Sequence, residues 1–435
     1  MFDSFICSLT FVEEYVLLLG VIMIIIPGLV LSVKNHFFQF KVLSRLKRCV
    51  RDLKECNEAE SHGIHPLKLY FASIGGMIGL GNVVSVVTAV TVGGPGALFW
   101  LWVAAFLGMI IKYSEIYLGL KFRQKNNSGS YDGGPMYFLK EAFNNNFIPK
   151  IVALLLCFYA VEIYQFTVVV DTIQRSFDVN RYFAIACLLA IVMWAAIGGV
   201  KRLSNICVLL MPPFVISYIL MCLWVILDHA SEIPQMLLSV FYSAFNGHAA
   251  TGGFLGATFI IAAQQGVARG IYAGDIGIGF DSIIQSASKT KHPERQARMG
   301  IFSLLTGVIV CTMTLLTVLL SGLWKVNGTN MLASEYMTKI LGQYFPFINI
   351  YMLVLFFLAA FTTLLAYYAV GRRTARFLSP THGIKIYTVY AILAFSFFSH
   401  FDQTVPMSLM AICSVLLVTF NIAGMLKLRR HIKYI

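Results

Sequence analysis

Charged residues are scarce in this chain: they make up 12% of its 435 residues, while hydrophobic residues make up 58%. Soluble domains carry about 25% charged residues, so the composition argues against a soluble protein and predicts a polytopic membrane protein. The net charge of +13 is by itself compatible with nucleic-acid binding. The distribution of that charge along the chain, described below, gives it a different explanation.

Motifs of hydrolases and metalloenzymes are absent from the sequence. Neither H-E-x-x-H nor G-x-S-x-G occurs, and the nine histidines form no metal-binding cluster. The nine cysteines are scattered, and no pair has zinc or redox spacing. No basic residue precedes the first apolar run, so a secretory signal is not expected. These absences argue against an enzyme and against a metal centre. The sequence does not indicate an oligomeric state.

Long apolar runs dominate what is present. A window of about 20 residues, the length that crosses a bilayer, finds eleven of them. They cover residues 15–33, 69–92, 95–120, 151–171, 182–199, 205–227, 234–268, 299–322, 345–371, 384–399 and 405–426. The sequence therefore predicts an all-α protein with eleven transmembrane segments in the lipid bilayer.

Lysine and arginine alternate between the loops that join these segments. Loops after odd-numbered segments, with the C-terminal tail, hold 27 of them, and loops after even-numbered segments hold four. Basic loops stay in the cytoplasm, so the pattern predicts an outside N-terminus and a cytoplasmic C-terminus. The surplus positive charge is thus a topology signal, and no nucleic-acid partner is needed to explain it.

Two apolar segments contain glycine-rich stretches near their middle. The second segment contains GGMIGLGN (75–82), and the seventh contains AATGGFLG (249–256). Each glycine costs a helix interior roughly 1 kcal/mol relative to alanine, so both helices are expected to be broken there. Broken helices in corresponding places of two halves point to a secondary-transporter site. The alternative is close packing of two helices at small residues.

The two breaks divide the chain into repeats. Segments two to six and seven to eleven form five crossings each, and an odd number makes the two repeats inverted. The predicted divisions are residues 1–65, a peripheral N-terminal helix and basic loop; 66–228, the first repeat; and 229–435, the second repeat and basic tail. By topology this is the plan of leucine-transporter-type folds.

Several motifs resemble those of one transporter family. The stretch from GLGNVVSVVTAVTVGGPGALFWLW to YSEIYLGLKFR (79–123), GSYDGGPMYFL (129–139), ATGGFLGA, GVARGIY and KTKHPERQ resemble the alanine or glycine:cation symporter family, the sodium:alanine symporters. The resemblance runs from about residue 66 to the last segment. It implies Na⁺-coupled uptake of alanine or glycine by alternating access, in the inner membrane of a prokaryote.

The chain departs from the family pattern at places that bear on substrate choice. AGDIG (273–277) stands where the family usually has serine-asparagine-glutamate-alanine-glycine, and Tyr367 replaces a tryptophan. These changes do not affect the predicted fold. They leave open which substrate is carried and which ion is coupled to it. A proton-coupled carrier of another small zwitterion is the alternative function.

The predicted substrate site lies at the two breaks. Backbone N–H groups freed by a break, and the positive end of the following half-helix, suit a substrate carboxylate. The candidate substrate-binding residues are Gly79, Gly81, Asn82, Gln165, Phe245, Thr251, Gly252 and Gly253. Gln165 matches a family glutamine, and its amide is equally able to bond a neighbouring helix.

A candidate Na⁺ site lies on the ninth segment. Ala359, Thr362 and Thr363 are spaced i, i+3, i+4, which puts a carbonyl and two hydroxyls on one helical face. With the carbonyl of Ile78 they are expected to coordinate Na⁺, the predicted coupling ion. The alternative is that both threonines bond the backbone of their own helix.

Intramembrane charges are candidates for function. Lys112 and Glu115 are three residues apart, and the simplest expectation is that they pair with each other. Glu162 has no local partner in the sequence and is expected either to couple protons or to face a water-filled vestibule. Arg269 and Asp275 are expected to form a gate pair or to lie in a solvated loop.

Overall fold

A computed structural model describes residues 2–45, 63–126, 130–196, 199–246, 259–325 and 331–434. The described chain is almost entirely helical. Its α-helices are α1 (Phe2–Lys34), α2 (Phe38–Leu43), α3 (Pro66–Met77), α4 (Val86–Gly93), α5 (Gly96–Lys121), α6 (Pro135–Phe143), α7 (Phe147–Tyr159), α8 (Ile163–Phe177), α9 (Arg181–Ala196), α10 (Gly199–Asp228), α11 (Ile233–Asn246), α12 (Phe259–Gly274), α13 (Phe280–Gln285), α14 (Pro293–Ser321), α15 (Ala333–Leu341), α16 (Ile348–Leu378), α17 (Gly383–Phe398) and α18 (Thr404–Lys427).

Shorter elements complete the described chain. A π-helix, Gly81–Ser85, lies between α3 and α4, and three short 3₁₀ turns follow α10, α14 and α18. Strands β1 (Gln124–Lys125) and β2 (Tyr131–Asp132) form a two-stranded antiparallel ribbon, in which Gln124 pairs with Asp132 and Lys125 with Tyr131. The ribbon is too short to form a core of its own.

Several helix ends follow directly from the sequence. Pro66, Pro135 and Pro293 occupy the first position of α3, α6 and α14, where the missing N–H costs nothing and the fixed φ suits a helix. α14 ends at Ser321 and is followed by Gly322, whose φ of 68° is the left-handed conformation that closes a helix C-terminus. These positions fix where the membrane helices begin and end.

Seven helices of the described residues are long and apolar enough to cross a membrane. The bent pair α3 and π-helix–α4 makes an eighth span, and α9 and α17 are shorter apolar helices. α7 and α8 together count as one span, and α11 and α12 flank residues 247–258. Each of the eleven predicted apolar segments overlaps a helix in the described residues, and the number of crossings stays a prediction.

The core forms around α5. This helix packs against α12 and α14 and also contacts α1 and α13. α3 packs against α10, α14 and α16, which places the glycine-rich stretch among the central helices. α1 lies outside this group, against α18, α5 and α12, and many of its apolar side chains are exposed. Exposed apolar side chains of this kind suit a lipid-facing surface.

Contacts between loops gather the basic loops at one end of the bundle. Ile64 pairs with Ser288 in an isolated parallel bridge, Arg373 donates to the carbonyl of Ile283 at 2.9 Å, and Lys121 donates to that of His431 at 3.0 Å. We call this set of loops the basic end. The far end is the opposite set, which includes Arg175, Arg181, Glu335 and Ser399 and joins α8 to α9, α14 to α16 and α17 to α18.

Candidate functional site

The helix that runs through the glycine-rich stretch is interrupted. α3 ends at Met77, and helical structure resumes at Gly81, with a bend of 48° between the two parts. The amide of Gly79 donates to the carbonyl of Met77 and to Oδ1 of Asn82, each at 3.2 Å. Residues 77–82 are buried, so their polar groups need partners from the protein or a ligand. The break predicted in this segment is present.

A glutamine side chain from α8 reaches this break. Oε1 of Gln165 accepts a hydrogen bond from the amide of Leu80 at 3.2 Å, and its Nε2 donates to Oε2 of Glu162 at 3.1 Å. A Cβ on Gly79 would overlap Oε1 of Gln165 and lie 2.5 Å from Oγ1 of Thr363. Any other residue at position 79 would have to displace Gln165 or Thr363. The structure therefore brings together three of the predicted site residues, Gly79, Gln165 and Thr363.

Asn82 is held by protein groups on every side. Its Nδ2 lies 3.1 Å from the carbonyl oxygen of Ala273, 3.4 Å from that of Gly307 and 3.3 Å from Sγ of Cys311. The backbone carbonyl of Asn82 accepts a hydrogen bond from the hydroxyl of Thr314 at 3.0 Å. In this conformation Asn82 ties the π-helix to α12 and α14, and its amide is fully engaged.

The threonine face of α16 lies against the same break. Oγ1 of Thr363 lies 3.0 Å from the carbonyl oxygen of Ala359 and 3.3 Å from that of Gly75 on α3. Oγ1 of Thr362 is 3.1 Å from the carbonyl oxygens of Leu358 and Ala359. Both threonines thus bond their own helix, and Thr363 also reaches α3. The result is a buried set of neutral oxygens, a donor set that suits Na⁺.

Gly75 is a member of this oxygen set that the sequence reasoning missed. The available signal was its position three residues before Ile78, which puts both carbonyls on one face of α3. Ile78 itself is fully buried, and its amide donates to Ile74 at 2.7 Å as the last bond of the helix.

The second break lies largely outside the described residues. Thr251, Gly252 and Gly253 belong to residues 247–258, so their predicted role stays a prediction. Phe245, at the end of α11, is described: its side chain is 59% exposed, and its ring centroid is 5.1 Å from that of Phe99. The structure does not bring Phe245 together with Gly79, Gln165 and Thr363.

Comparison with known proteins identifies the family. The sequence model of the Sodium:alanine symporter family matches residues 5–434. The chain belongs to this family. It is 29% identical to the sodium/alanine symporter AgcS of Methanococcus maripaludis over 87% of this chain and 83% of that one. It is 30% identical to an uncharacterized transporter of Haemophilus influenzae over 84% of this chain and 81% of the other.

A solved structure supports the fold. The crystal structure of MhsT in complex with L-phenylalanine superposes with a TM-score of 0.56 and 16% identity, over 84% of this chain and 89% of that one. The fold is therefore that of leucine-transporter-type transporters, as the resemblance implied. The family and fold place the interrupted helix at the centre of a transporter.

This family member has a further break that no glycine signals. α7 ends at Tyr159, α8 begins at Ile163, and Glu162 between them has a left-handed φ of 55°. The Glu162 side chain is 1% exposed, and its Oε2 accepts from the hydroxyl of Tyr272 at 2.9 Å. The ring of Tyr272 lies 3.1 Å from where a Cβ on Gly81 would stand. Glu162 is thus connected to the first break through both Gln165 and Tyr272.

The pairing expected between Lys112 and Glu115 is wrong. Nζ of Lys112 lies 2.6 Å from Oδ2 of Asp281, and both side chains are fully buried. Asp281 also accepts from the hydroxyl of Ser73, whereas Glu115 accepts from the amide of Ser282 at 3.4 Å. The partner of Lys112 comes from α13, 169 positions along the chain, where no local spacing rule applies.

Arg269 and Asp275 neither pair with each other nor lie in solvent. Both are 2% exposed. Arg269 donates to the side chain of Gln265 at 3.4 Å, and Asp275 accepts from the hydroxyl of Tyr367. Asp275 and Tyr367 are two of the positions where the sequence departs from the family pattern, and the structure places them in contact.

Proposed function

We propose that this chain is a Na⁺-coupled symporter that takes up small neutral amino acids, with alanine and glycine as the first candidates, by alternating access. It belongs to a transporter family, and the proposal assigns it no enzymatic step. One observation carries the proposal. The break at residues 79–82 has backbone donors on one side and the oxygens of the α16 face on the other, and Gly79 separates them.

The backbone donors suit the substrate carboxylate. The amide of Leu80 is held by a side-chain oxygen of Gln165, and a substrate carboxylate makes a stronger, charge-assisted bond to the same N–H. The amide of Leu80 bonds the neutral side chain of Gln165. Lys112 reaches the break at Met77, where its Nζ lies 3.4 Å from Sδ. Phe245, Thr251, Gly252 and Gly253 are proposed to complete the pocket from the second break.

The oxygen set suits Na⁺. Thr363, Ala359 and Gly75 already place three oxygens near one another, and Thr362 and Ile78 are proposed to supply more. Na⁺ bound there would hold α3 against α16, and substrate would hold the π-helix against α8. Binding of both would favour one closed arrangement, which is the thermodynamic requirement for symport.

We further propose eleven crossings, with the N-terminus outside and the C-terminus in the cytoplasm of a prokaryotic inner membrane. The basic loops that meet at one end of the bundle support that orientation. The proposed divisions are a peripheral N-terminal part, residues 1–65, and two inverted repeats, residues 66–228 and 229–435.

Uptake of labelled alanine and glycine into proteoliposomes across an imposed Na⁺ gradient tests the function. We expect saturable uptake that requires Na⁺. Gly81→Leu should abolish it without loss of protein from the membrane fraction, because the leucine side chain would collide with the Tyr272 ring. Val92→Leu, at an exposed position of α4, is the matched control and should transport normally.

A double variant, Thr362→Ala with Thr363→Ala, tests the ion site. It should bind substrate with a greatly weakened dependence on Na⁺, since it loses two of the proposed oxygens. A variant that kept the original Na⁺ dependence would remove this oxygen set from the proposal. Uptake by Gly81→Leu at the original rate would show that the break at residues 79–82 is not the substrate site.

A proton-coupled carrier is the second candidate. The observation that favours it is the buried carboxyl group of Glu162, which contacts no cationic side chain of the described residues. Counterflow measured with and without Na⁺, and net uptake measured with and without a pH gradient, separate the two. Counterflow that is indifferent to Na⁺, together with net uptake driven by the pH gradient, would support the proton.

A further inference from the structure

The side chain of Gln165 connects two groups of opposite hydrogen-bonding character. Its oxygen accepts from the amide of Leu80 at 3.2 Å, and its nitrogen donates to the carboxylate of Glu162 at 3.1 Å. A zwitterionic α-amino acid presents the same order of groups: a carboxylate that accepts and an ammonium group that donates. Oxygen and nitrogen are two bonds apart in the amide and three bonds apart in the amino acid, so the two span similar gaps.

The side chain of Glu162 does not cap the helix that it precedes. The residue occupies the N-cap position of α8, yet its side chain makes no capping hydrogen bond. Its left-handed backbone costs roughly 1–3 kcal/mol, a strain that tends to occur at functional positions. The carboxylate instead accepts from Gln165 and from Tyr272 of α12. The strained backbone therefore serves to present a carboxylate to the break.

The electrostatic surroundings of that carboxylate favour a cation. Both of its hydrogen-bond donors are neutral, and the described residues include no lysine, arginine or histidine within ion-pair distance of it. A buried carboxylate without a positive partner is unfavourable, and a cation supplied from outside would stabilise it. The N-terminus of α8 contributes only a partial positive charge.

We propose that Glu162 binds the α-ammonium group of the substrate, and that the Gln165 amide occupies the place of the zwitterion until substrate arrives. This rests on the proposed function and deepens it. The substrate carboxylate replaces the Gln165 oxygen at the amide of Leu80, and the ammonium group replaces the Gln165 nitrogen at Glu162. Hydroxy acids and N-acylated amino acids, which lack the ammonium group, are then rejected.

The test is ligand binding to the purified full-length chain in nanodiscs with Na⁺, measured by titration calorimetry. The probes are alanine, lactate and N-acetylalanine, which differ only at the α-substituent. We expect alanine to bind the unaltered chain, and lactate to bind about 10- to 100-fold more weakly, the value of a hydrogen bond to a charged group. Glu162→Gln should weaken alanine binding by a similar factor and leave lactate binding almost unchanged.

Glu115→Gln is the matched control, since it makes the same change at another fully buried glutamate whose partner is the amide of Ser282. It should keep the alanine-to-lactate ratio of the unaltered chain. Glu162→Asp keeps the charge on a shorter side chain, so it should retain discrimination against lactate. Glu162→Asp also serves if Glu162→Gln does not purify as a homogeneous protein.

The outcomes separate the two proposals. An unaltered chain that does not bind alanine would overturn the proposed uptake of alanine and this inference with it. Binding of alanine with an unchanged alanine-to-lactate ratio in Glu162→Gln would overturn this inference alone. The same holds if lactate binds the unaltered chain as tightly as alanine.

Discussion

The two ends of the bundle are held together in different ways. Just beneath the basic end, Lys112 and Asp281 form an ion pair whose side chains are both fully buried. At the far end, the ion pair of Arg175 and Glu335 is 57% and 39% exposed. A cavity of about 1120 Å³ opens beside that exposed pair, lined by α8, α15 and the first turns of α16. In the described residues, the ion pair near the basic end is thus buried, and the ion pair beside the cavity at the far end is exposed.

This difference bears on transport. Exposed ion pairs contribute little, whereas breaking a buried pair leaves an uncompensated charge in a medium of low polarity. Opening should therefore need less free energy at the far end than at the basic end. In the proposed orientation, the cavity beside Arg175 and Glu335 lies toward the outside, and the buried Lys112–Asp281 pair lies toward the cytoplasm.

The largest expected effect comes from breaking the buried pair. Asp281→Asn leaves the Lys112 ammonium buried without its counter-charge, although it keeps its bond to the carbonyl of Gly274 at 2.6 Å. We expect the free energy of unfolding to fall by about 3 to 5 kcal/mol. Denaturant titration of the purified protein in micelles, followed by circular dichroism, measures the change.

The exposed pair provides the control for this measurement. Glu335→Gln removes one charge at the far end and should cost less than about 1 kcal/mol. The double change Lys112→Met with Asp281→Leu should cost less than Asp281→Asn alone, because both charges of the pair are removed together. Equal costs for Asp281→Asn and Glu335→Gln would show that the two ends do not differ as proposed.

An intermediate effect is expected at Asp171, which sharpens the comparison within the far end. Its Oδ1 lies 2.7 Å from a guanidinium nitrogen of Arg181, and its Oδ2 accepts from Gln403 at 2.7 Å. These contacts join α8 to the starts of α9 and α18. Because the Asp171 side chain is 13% exposed, Asp171→Asn should cost about 1.5 to 3 kcal/mol, more than Glu335→Gln. The same denaturant titration ranks the three variants, and a smaller cost than that of Glu335→Gln would contradict the dependence on burial.

The sequence predicted features whose cause is local. Glycine weakens a helix wherever it stands, so the break at 79–82 could be located without coordinates. Helical spacing alone puts Ala359, Thr362 and Thr363 on one face. The gathering of the basic loops likewise follows from counting charges between apolar runs.

Features that depend on distant parts of the chain could not be predicted. The partner of Lys112 lies on α13, and the partners of Glu162 include Tyr272 on α12. Neither is fixed by spacing, because folding decides which helices meet. The break at Glu162 also lacks a glycine or proline in VEIY (161–164), so no propensity rule marks it. Its only signal was a carboxylate in an apolar run.

A small effect is also expected at the surface of the basic end, where His65 caps α3. Its Nδ1 accepts from the amide of Leu67 at 3.2 Å, which requires a neutral ring nitrogen. Burial, helped by the nearby Lys289 and Lys68, lowers the pKa of His65 from its ordinary value of 6.5. The unfolded chain therefore takes up this proton more readily than the folded chain. The stabilisation is complete above pH 6.5 and is lost as the pH falls from there through the lower folded-state pKa.

His65→Ala should cost about 1 kcal/mol at neutral pH, the value of an N-cap. His65→Asn keeps an N-cap acceptor that does not titrate, so it separates the cap from its pH dependence. Between about pH 7.5 and about pH 5.5 the unaltered chain should lose more stability than His65→Asn does, since only histidine gains a proton there. Parallel losses in the two proteins would mean that the cap is insensitive to the charge on His65. If His65→Ala lowered the free energy of unfolding as much as Asp281→Asn does, the surface contacts of the basic end would contribute as much stability as its buried ion pair.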